Sequence, residues 1–371
     1  MGYTVDRVVS GRELKEFAYF SRQIYKSDPY WVPPIFSEQL KFLDKKKGVF
    51  FEFGEAEYFI VRKDGVIAGR VSAHISRQWD KYHDPNTGFF GFFECINDQE
   101  AANALFAKAA EWLKSKGKSK ILGPFSFTTY DECAMLVDGY DSSPVIMLSY
   151  NPPYYNDLLT NAGFAKVIDW YAFKVNKDVQ IRPVFYKVRE RLLNNKDFHV
   201  ENMDLKKLDV AIQRVGKIFN DAWMENWGHV PLTPGQLKSM AEELKLVAVP
   251  ELSYFAFEKD ECIGFSLTLL DANPAIKKAN GRLFPFGIIK IMLEMKKIKR
   301  LRTIAMGVLK EHRNKGLDVL FYLNTVEKGV QMGFTESECS IIVETNTRMI
   351  KALEDLDAKI YKTYRFYEKA I

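Results

Sequence analysis

Ile304-Ala305-Met306-Gly307-Val308, then Arg313-Asn314-Lys315-Gly316, then Leu317-Asp318-Val319-Leu320-Phe321-Tyr322-Leu323: this stretch decides the fold. An apolar run reads as a strand, a basic residue with Gly reads as a turn, and the third segment reads as a helix. That order builds an anion cradle. Gly lets the backbone come close to a ligand, and the free amides of the helix's first turn point at negative oxygens. The helix is expected to run to Gly333, followed by a strand at Cys339-Ser340-Ile341-Ile342-Val343. Glu344-Thr345-Asn346 opens a further helix, and the alternating, aromatic-rich segment from Lys359 to Lys369 closes as a strand.

Residues 301–369 resemble the core of the GNAT superfamily of N-acetyltransferases. In that family an Arg/Gln-x-x-Gly-x-Gly/Ala loop holds the pyrophosphate of acyl-coenzyme A. Arg313 and Gly316 match it, whereas Asp318 stands at the final small position. The resemblance implies acyl-CoA (acetyl-CoA or longer) as co-substrate. It implies a site of Met306, Gly307, Val308, Arg313, Asn314, Lys315, Gly316, Leu317, Asp318 and Asn346, the last matching the Asn that opens the family's next helix. Leu353 occupies the place where the family often has a Tyr that protonates the leaving thiolate. A general acid is then expected from elsewhere, Tyr361 or Tyr364, or else thiolate departure is assisted differently.

A chain of 371 residues is comfortable for two domains, and 47% apolar with 14% aromatic content excludes disorder. A net charge of +5 suits an anionic cofactor or a membrane face without demanding nucleic acid. The cysteines Cys95, Cys133, Cys262 and Cys339 are scattered, as in a cytoplasmic protein with reduced thiols. None of the five histidines is paired at ligand spacing, so no metal is expected. No signal segment or run of about 20 apolar residues appears, so the expected place is the cytoplasm, at most peripheral to a membrane.

The two halves tell a similar story. Tyr58 to Val61 and Val66 to Ser76 flank the turn Asp64-Gly65, as Ser253 to Phe257 and Ile263 to Leu270 flank Lys259-Asp260. A helix follows each pair, Glu100 to Gly117 and Gly316 to Gly333. Each half then has a short strand, another helix and a terminal strand. The reading is α/β with a mixed sheet: two tandem GNAT-like domains, 1–176 and 199–371, joined by a linker at 177–198. The first copy is expected to be degenerate. Where an Arg-x-x-Gly turn should open its helix, the chain reads Asn97-Asp98-Gln99-Glu100, which suits a helix N-cap and repels a pyrophosphate.

Three further stretches carry candidate chemistry. Phe219 to Thr233 lines the acceptor side in a GNAT, with Trp223, Asn226 and Trp227 as substrate wall. Glu225 or His229 is the candidate base for the attacking amine. The alternative is that Trp223 and Trp227 are core residues on one helix face. At 282–300, Phe284-Pro285-Phe286 precedes a basic amphipathic helix with Ile288, Ile291, Met292, Met295 and Ile298 on one face. Such an element lies on anionic membrane, covers a greasy tunnel, or is plain surface helix. Asp131-Glu132, beside Phe125, Phe127 and Tyr130, is a lesser candidate for recognising a cationic amine.

The reading is an acyl-CoA-dependent N-acyltransferase acting on an amine acceptor, a small molecule or an amino lipid, with membrane contact through 282–300. No nucleic-acid partner is expected. The rivals are a non-catalytic GNAT-fold protein that binds acyl-CoA or a partner, favoured by Leu353 and Asp318, and a Fem-type aminoacyltransferase.

Overall fold

The computed structural model describes residues 2–371, a mixed α/β chain that divides into two compact units. The first holds the residues up to Trp170, Asn273–Glu294 and Lys362–Ile371; the second holds Tyr171–Ala272 and Met295–Tyr361.

In the first unit, β1 (Tyr3–Arg7), β2 (Gly54–Lys63), β3 (Val66–Ser76) and β4 (Thr87–Cys95) run antiparallel, and β5 (Lys120–Gly123) lies parallel to β4. The helix Gln99–Ser115 makes the crossover that a parallel pair requires. It buries Ala102, Leu105, Phe106, Ala109 and Leu113, one stripe at three- and four-residue spacing. β2 and β3 are joined at Asp64-Gly65, both with positive φ, a tight turn whose twist suits the hairpin. β6 (Met135–Asp138) follows, and β7 (Ala165–Asn176) leaves this unit after Trp170.

The second unit repeats the plan. β8 (Phe198–Asn202), β9 (Tyr254–Glu258), β10 (Glu261–Leu270) and β11 (Arg300–Val308) are antiparallel, and β12 (Glu336–Val343) is parallel to β11. Its crossover helix is Leu317–Gln331, the one that opens at Gly316. The repeat expected from the sequence is present element by element.

The compact units do not follow the contiguous halves. β13 (Lys359–Ala370) starts in the second unit and ends in the first, where Tyr367 to Ala370 pair with Gly123 to Lys120 of β5. Tyr364, Phe366 and Tyr367 are buried there. The stretch 177–198, expected as a linker, carries the helix Pro183–Leu193, with Phe185 and Leu192 buried. Its Arg189 makes a two-pronged bond to Glu327 of the crossover helix, at 2.5 and 3.2 Å. Its polar composition hid it, because only a narrow side is apolar.

His74 on β3 is fully buried among the rings of Phe50, Phe89 and Phe127, at centroid distances of 5.4–5.6 Å. Burial drives its pKa from 6.5 down to about 3. The fold thus favours neutral imidazole. Its stabilising contribution is whole above pH 6.5 and is lost as pH falls towards 3, at up to about 1.4 kcal/mol per pH unit. The stability difference between the protein and His74→Leu, followed by urea unfolding, should shift by about 2–3 kcal/mol between pH 7 and pH 4, in favour of the variant. A pH-independent difference would show that His74 is not held neutral.

Candidate functional site

A bulge opens the site. Across β10 and β11, Leu267 faces Ala305 and the next residue, Thr268, faces Thr303, so Ile304 is the extra residue. A bulge bends and twists its strand. Pairing of β11 with β12 runs from Arg300↔Glu336 to Thr303↔Cys339, ending at the residue before the bulge. Beyond it, Ile304–Val308 and Ser340–Val343 line the two sides of a cleft of about 460 Å³. Strand edges that part in this way present peptide N–H and C=O groups that still need partners. An extended amide-bearing chain is suited to supply them.

The mouth of the cleft is the cradle read from the sequence. After a single 3₁₀ turn at Lys310–His312, Asn314 and Gly316 take positive φ, and Gly316 is the N-cap of the crossover helix. Having no side chain, it leaves the first-turn amides without a side-chain cap. A Cβ on Gly316 would also meet Val188 Cγ1 at 2.3 Å. The glycine is thus required by its φ and by the helix packed behind it, and a side chain would strike Val188. Arg191 donates to the Lys315 carbonyl at 3.1 Å, which fixes the loop from the same side.

Cations at the mouth are held by carboxylates. Glu225 accepts from Lys310 Nζ at 2.9 Å and Arg313 Nη1 at 3.3 Å, while Arg313 Nη2 donates to the Ala222 carbonyl at 3.2 Å. Lys310, then Arg313, hold the Glu225 carboxyl below its ordinary range. His312 Nδ1 lies 2.9 Å and Lys315 Nζ 3.0 Å from Glu258, whose carboxyl Lys315 pulls down in the same way. Asp318 lines the cleft in the first helical turn, a negative group beside the cradle.

Of the expected cofactor residues, Met306, Gly307, Val308, Arg313, Asn314, Leu317, Asp318 and Asn346 line this cleft, and Lys315 and Gly316 complete its loop. Asn346 also caps the Thr347–Asp355 helix, accepting from the Met349 amide at 3.2 Å. Trp223, Glu225 and Asn226 line the other wall. Trp223 stacks on Phe219 at 4.3 Å, and a Cβ at Gly307 would meet its ring at 2.7 Å. It is therefore core on one side and cleft wall on the other.

Trp227, His229, Tyr361 and Tyr364 are not among the lining residues. His229 is buried 5.9 Å from the Phe219 ring. Tyr361 donates its hydroxyl to Glu338 Oε2, and Tyr364 is buried in the first unit. Glu225, held as a charged clasp, is a weak base at neutral pH. Leu353, fully buried, is among the residues that line the cleft.

Several lining residues carry no sequence signal. Tyr322 lies on the crossover helix with its hydroxyl 2.7 Å from Met349 Sδ, and burial raises its pKa well above the ordinary phenol value. Burial pushes the Cys339 thiol up to about 12. His312 and Arg348 are also among the lining residues, and Arg348 brings a positive charge to the cleft. Beneath the floor, Glu338 is buried, accepts from Ser340 and Tyr361, and has its pKa raised by burial. Spacing gave no metal set, yet the fold brings Glu261, Glu311 and His312 within 4.8 Å of one another; both acids are exposed and His312 is already paired to Glu258.

The first copy uses the same devices but closes them. Between Arg70↔Glu94 and Ser72↔Gly91 the register slips, and Phe92 takes positive φ. There, however, Phe125 donates to the Phe90 carbonyl at 2.8 Å, so the chain after β5 stays bonded to β4. At the crossover helix Asp98 is the N-cap, accepting from the amides of Glu100 and Ala101. Lys63 at 2.6 Å and Tyr3 at 2.8 Å bind the same carboxylate. Burial opposes its charge, but these bonds outweigh that and keep its pKa below the ordinary value. The anion that a ligand would bring to the second copy is built into the first.

Arg313→Ala should weaken CoA binding about 10-fold or more in calorimetry, as expected for loss of a charge-assisted contact worth roughly 1.5–3 kcal/mol. Glu225→Gln should tighten it several-fold by freeing Arg313 and Lys310 for phosphate. Unchanged affinity in Arg313→Ala would remove the cradle from consideration.

No protein-family model matches the chain. It is 30% identical over 366 residues to a bacterial ceramide synthase of Caulobacter vibrioides, covering 97% of this chain and 95% of that protein. It is 32% identical over 367 residues to the protein YghO of Escherichia coli, covering 97% and 93%. Among solved structures, a tandem GNAT protein from the clavulanic acid biosynthesis pathway matches with a TM-score of 0.57 at 12% identity, over 100% of this chain and 98% of that one. A GCN5-related N-acetyltransferase from Sphaerobacter thermophilus matches with a TM-score of 0.55 at 14% identity, over 99% and 95%. The chain belongs to the family of the Caulobacter bacterial ceramide synthase and YghO, and its fold is that of the tandem GNAT proteins.

Proposed function

We propose that this protein transfers a long acyl group from acyl-CoA to the amine of an amphiphilic, long-chain acceptor. The observation that carries the reading is the uncapped cradle at Gly316 opening onto the parted edges of β11 and β12. It is joined by near full-length similarity to a protein described as a ceramide synthase. A ceramide is the amide of a fatty acid with a long-chain amino alcohol, so its formation from a thioester is N-acylation.

In this reading Arg313 leaves Glu225 to meet the pyrophosphate, alongside the amides of Leu317 and Asp318. The edge amides of Met306–Val308 bond the pantetheine arm and polarise the thioester carbonyl. The amine attacks that carbon, the tetrahedral intermediate collapses, and the C–S bond breaks. Leu353 has no proton to give, so the departing thiolate takes one from the water-filled mouth or from the acceptor's own ammonium. An amphiphilic acceptor resides in a bilayer, which places the work at a membrane face.

The test is product analysis by mass spectrometry. Purified protein is given detergent-dispersed long-chain amino alcohol and acyl-CoA donors from two to sixteen carbons. Amide should form, with a preference for long donors, and Arg313→Ala should lower the rate at least 10-fold. CoA binding without any amide from any donor would leave a non-catalytic acyl-CoA-binding protein as the reading.

A further inference from the structure

Segment 273–294 belongs to the first unit and is pinned to it at its beginning. Asn273 donates to the Pro144 carbonyl at 2.9 Å, and Phe36 N–H donates to the Gly281 carbonyl at 3.2 Å. Arg22 donates to the Asn280 carbonyl and lies over the Phe36 ring. Past Gly281 the chain turns outward. Phe284 is 76% and Phe286 66% exposed, and the helix Gly287–Met295 continues with Ile289 at 55%, Met292 at 63% and Leu293 at 56%. At about 100° per residue, Ile288, Met292, Ile289 and Leu293 fill one arc of about 140°. Of the stripe expected from the sequence, Ile288 and Met292 are exposed, whereas Ile291 and Met295 are half-buried and Ile298 is buried, so the open arc lies to one side of that stripe; none of the exposed residues lines the second unit's cleft.

So large an apolar patch on a water-facing surface is unfavourable unless something covers it. Its charge says what. Between Lys277 and Lys299 lie seven basic residues, Lys277, Lys278, Arg282, Lys290, Lys296, Lys297 and Lys299, against one acid, Glu294. That is +6 for the segment, whereas the whole chain is +5, so everything else sums to −1. The chain's positive charge is concentrated in the stretch of sequence that carries and flanks these exposed apolar side chains. A protein partner of matching shape would need to supply both a greasy groove and an acidic rim. An anionic lipid surface supplies both at once, with acyl chains for the aromatic and aliphatic residues and phosphates for the lysines.

We infer that Phe284, Phe286, Ile289, Met292 and Leu293 insert into the interfacial layer of an anionic bilayer, held there by the surrounding lysines. The surface argument stands without the catalytic reading, which gives it a purpose: an amphiphilic acceptor would be taken from the layer into which the segment dips.

The experiment uses the full chain with vesicles of phosphatidylcholine alone or with 30% phosphatidylglycerol (a composition chosen here as about one anionic lipid in three). Binding by sedimentation should be at least 10-fold stronger to the anionic vesicles and should fall in high salt. Phe286→Trp should show a blue-shifted emission on those vesicles, quenched by brominated lipid. Phe284→Ser with Met292→Ser should lower vesicle binding at least 10-fold while leaving CoA affinity and turnover of detergent-dispersed amine unchanged. Equal binding to both vesicles, or undiminished binding by the double variant, would overturn the inference. So would a solution dimer that the double variant dissociates, since the patch would then serve self-association. Vesicle binding without amide formation would refute the catalytic reading alone.

Discussion

The first turn of a helix presents amides that no residue of the helix can satisfy, and this chain meets that constraint in two opposite ways. In each repeat a parallel strand pair is spanned by a crossover helix, but only in the second do the strands part. In the first repeat Asp98 fills the place, and Lys63 and Tyr3 lock it there. In the second, Gly316 offers nothing, and the carboxylates of Glu225 and Glu258 hold Lys310, Arg313 and Lys315 at the rim. One copy is capped by its own carboxylate; the other leaves its first-turn amides without a side-chain cap, which in the proposed reading is the place of the cofactor's pyrophosphate. The same backbone plan thus yields one helix start capped by a side chain and one left uncapped, and the difference comes down to whether the cap residue carries a carboxylate or a hydrogen.

Much of this was legible in the residues. Arg313 to Gly316 reads as a turn because only Gly accepts the φ of +94° there without penalty, and the apolar run before it has nowhere to go but a buried strand. Asp98 reads as a cap because Asp before a helix does that chemistry wherever it occurs. The cleft wall at Trp223 was expected from the pair Trp223 and Trp227 four residues apart, although only Trp223 of the two lines the cleft, and the way Gly307 makes room for its ring was not visible. What could not be read was whatever depends on partners far apart in sequence. Val188 and Arg191, more than a hundred residues upstream, shape the cradle from behind, and nothing local marks them. His229 and Tyr361 have the right chemistry in the wrong place: one is buried beside the Phe219 ring and does not line the cleft, the other is engaged by Glu338. Sequence gives residue type and local period; it does not give which way a loop delivers a side chain.

The amphipathic segment shows the same limit from another side. Periodicity found its helix and its apolar stripe, but a stripe says only that something apolar should lie against it. Whether that is the protein's own core or another phase depends on the anchoring at Asn273 to Gly281, which turns the helix outward. Once that is known, the charge around it becomes informative, because lysines beside a buried stripe and lysines beside an open one answer to different surroundings.

The passage of β13 from the second unit into the first has a consequence for how the polypeptide reaches its final state. Residues 2–170 leave the ribosome long before 362–371, yet β5 ends as a neighbour of Tyr367 to Ala370, and the first unit's interior includes Phe366 and Tyr367. Until those residues are synthesised, β5 keeps an open edge and the nascent half carries an unfilled groove. Exposed edges of this kind invite pairing with other chains. The N-terminal half is thus a poor candidate for separate expression. Gene halves drawn at the sequence repeat would each lack a strand that the other encodes, so the duplication visible in the architecture is no longer a duplication of separable parts.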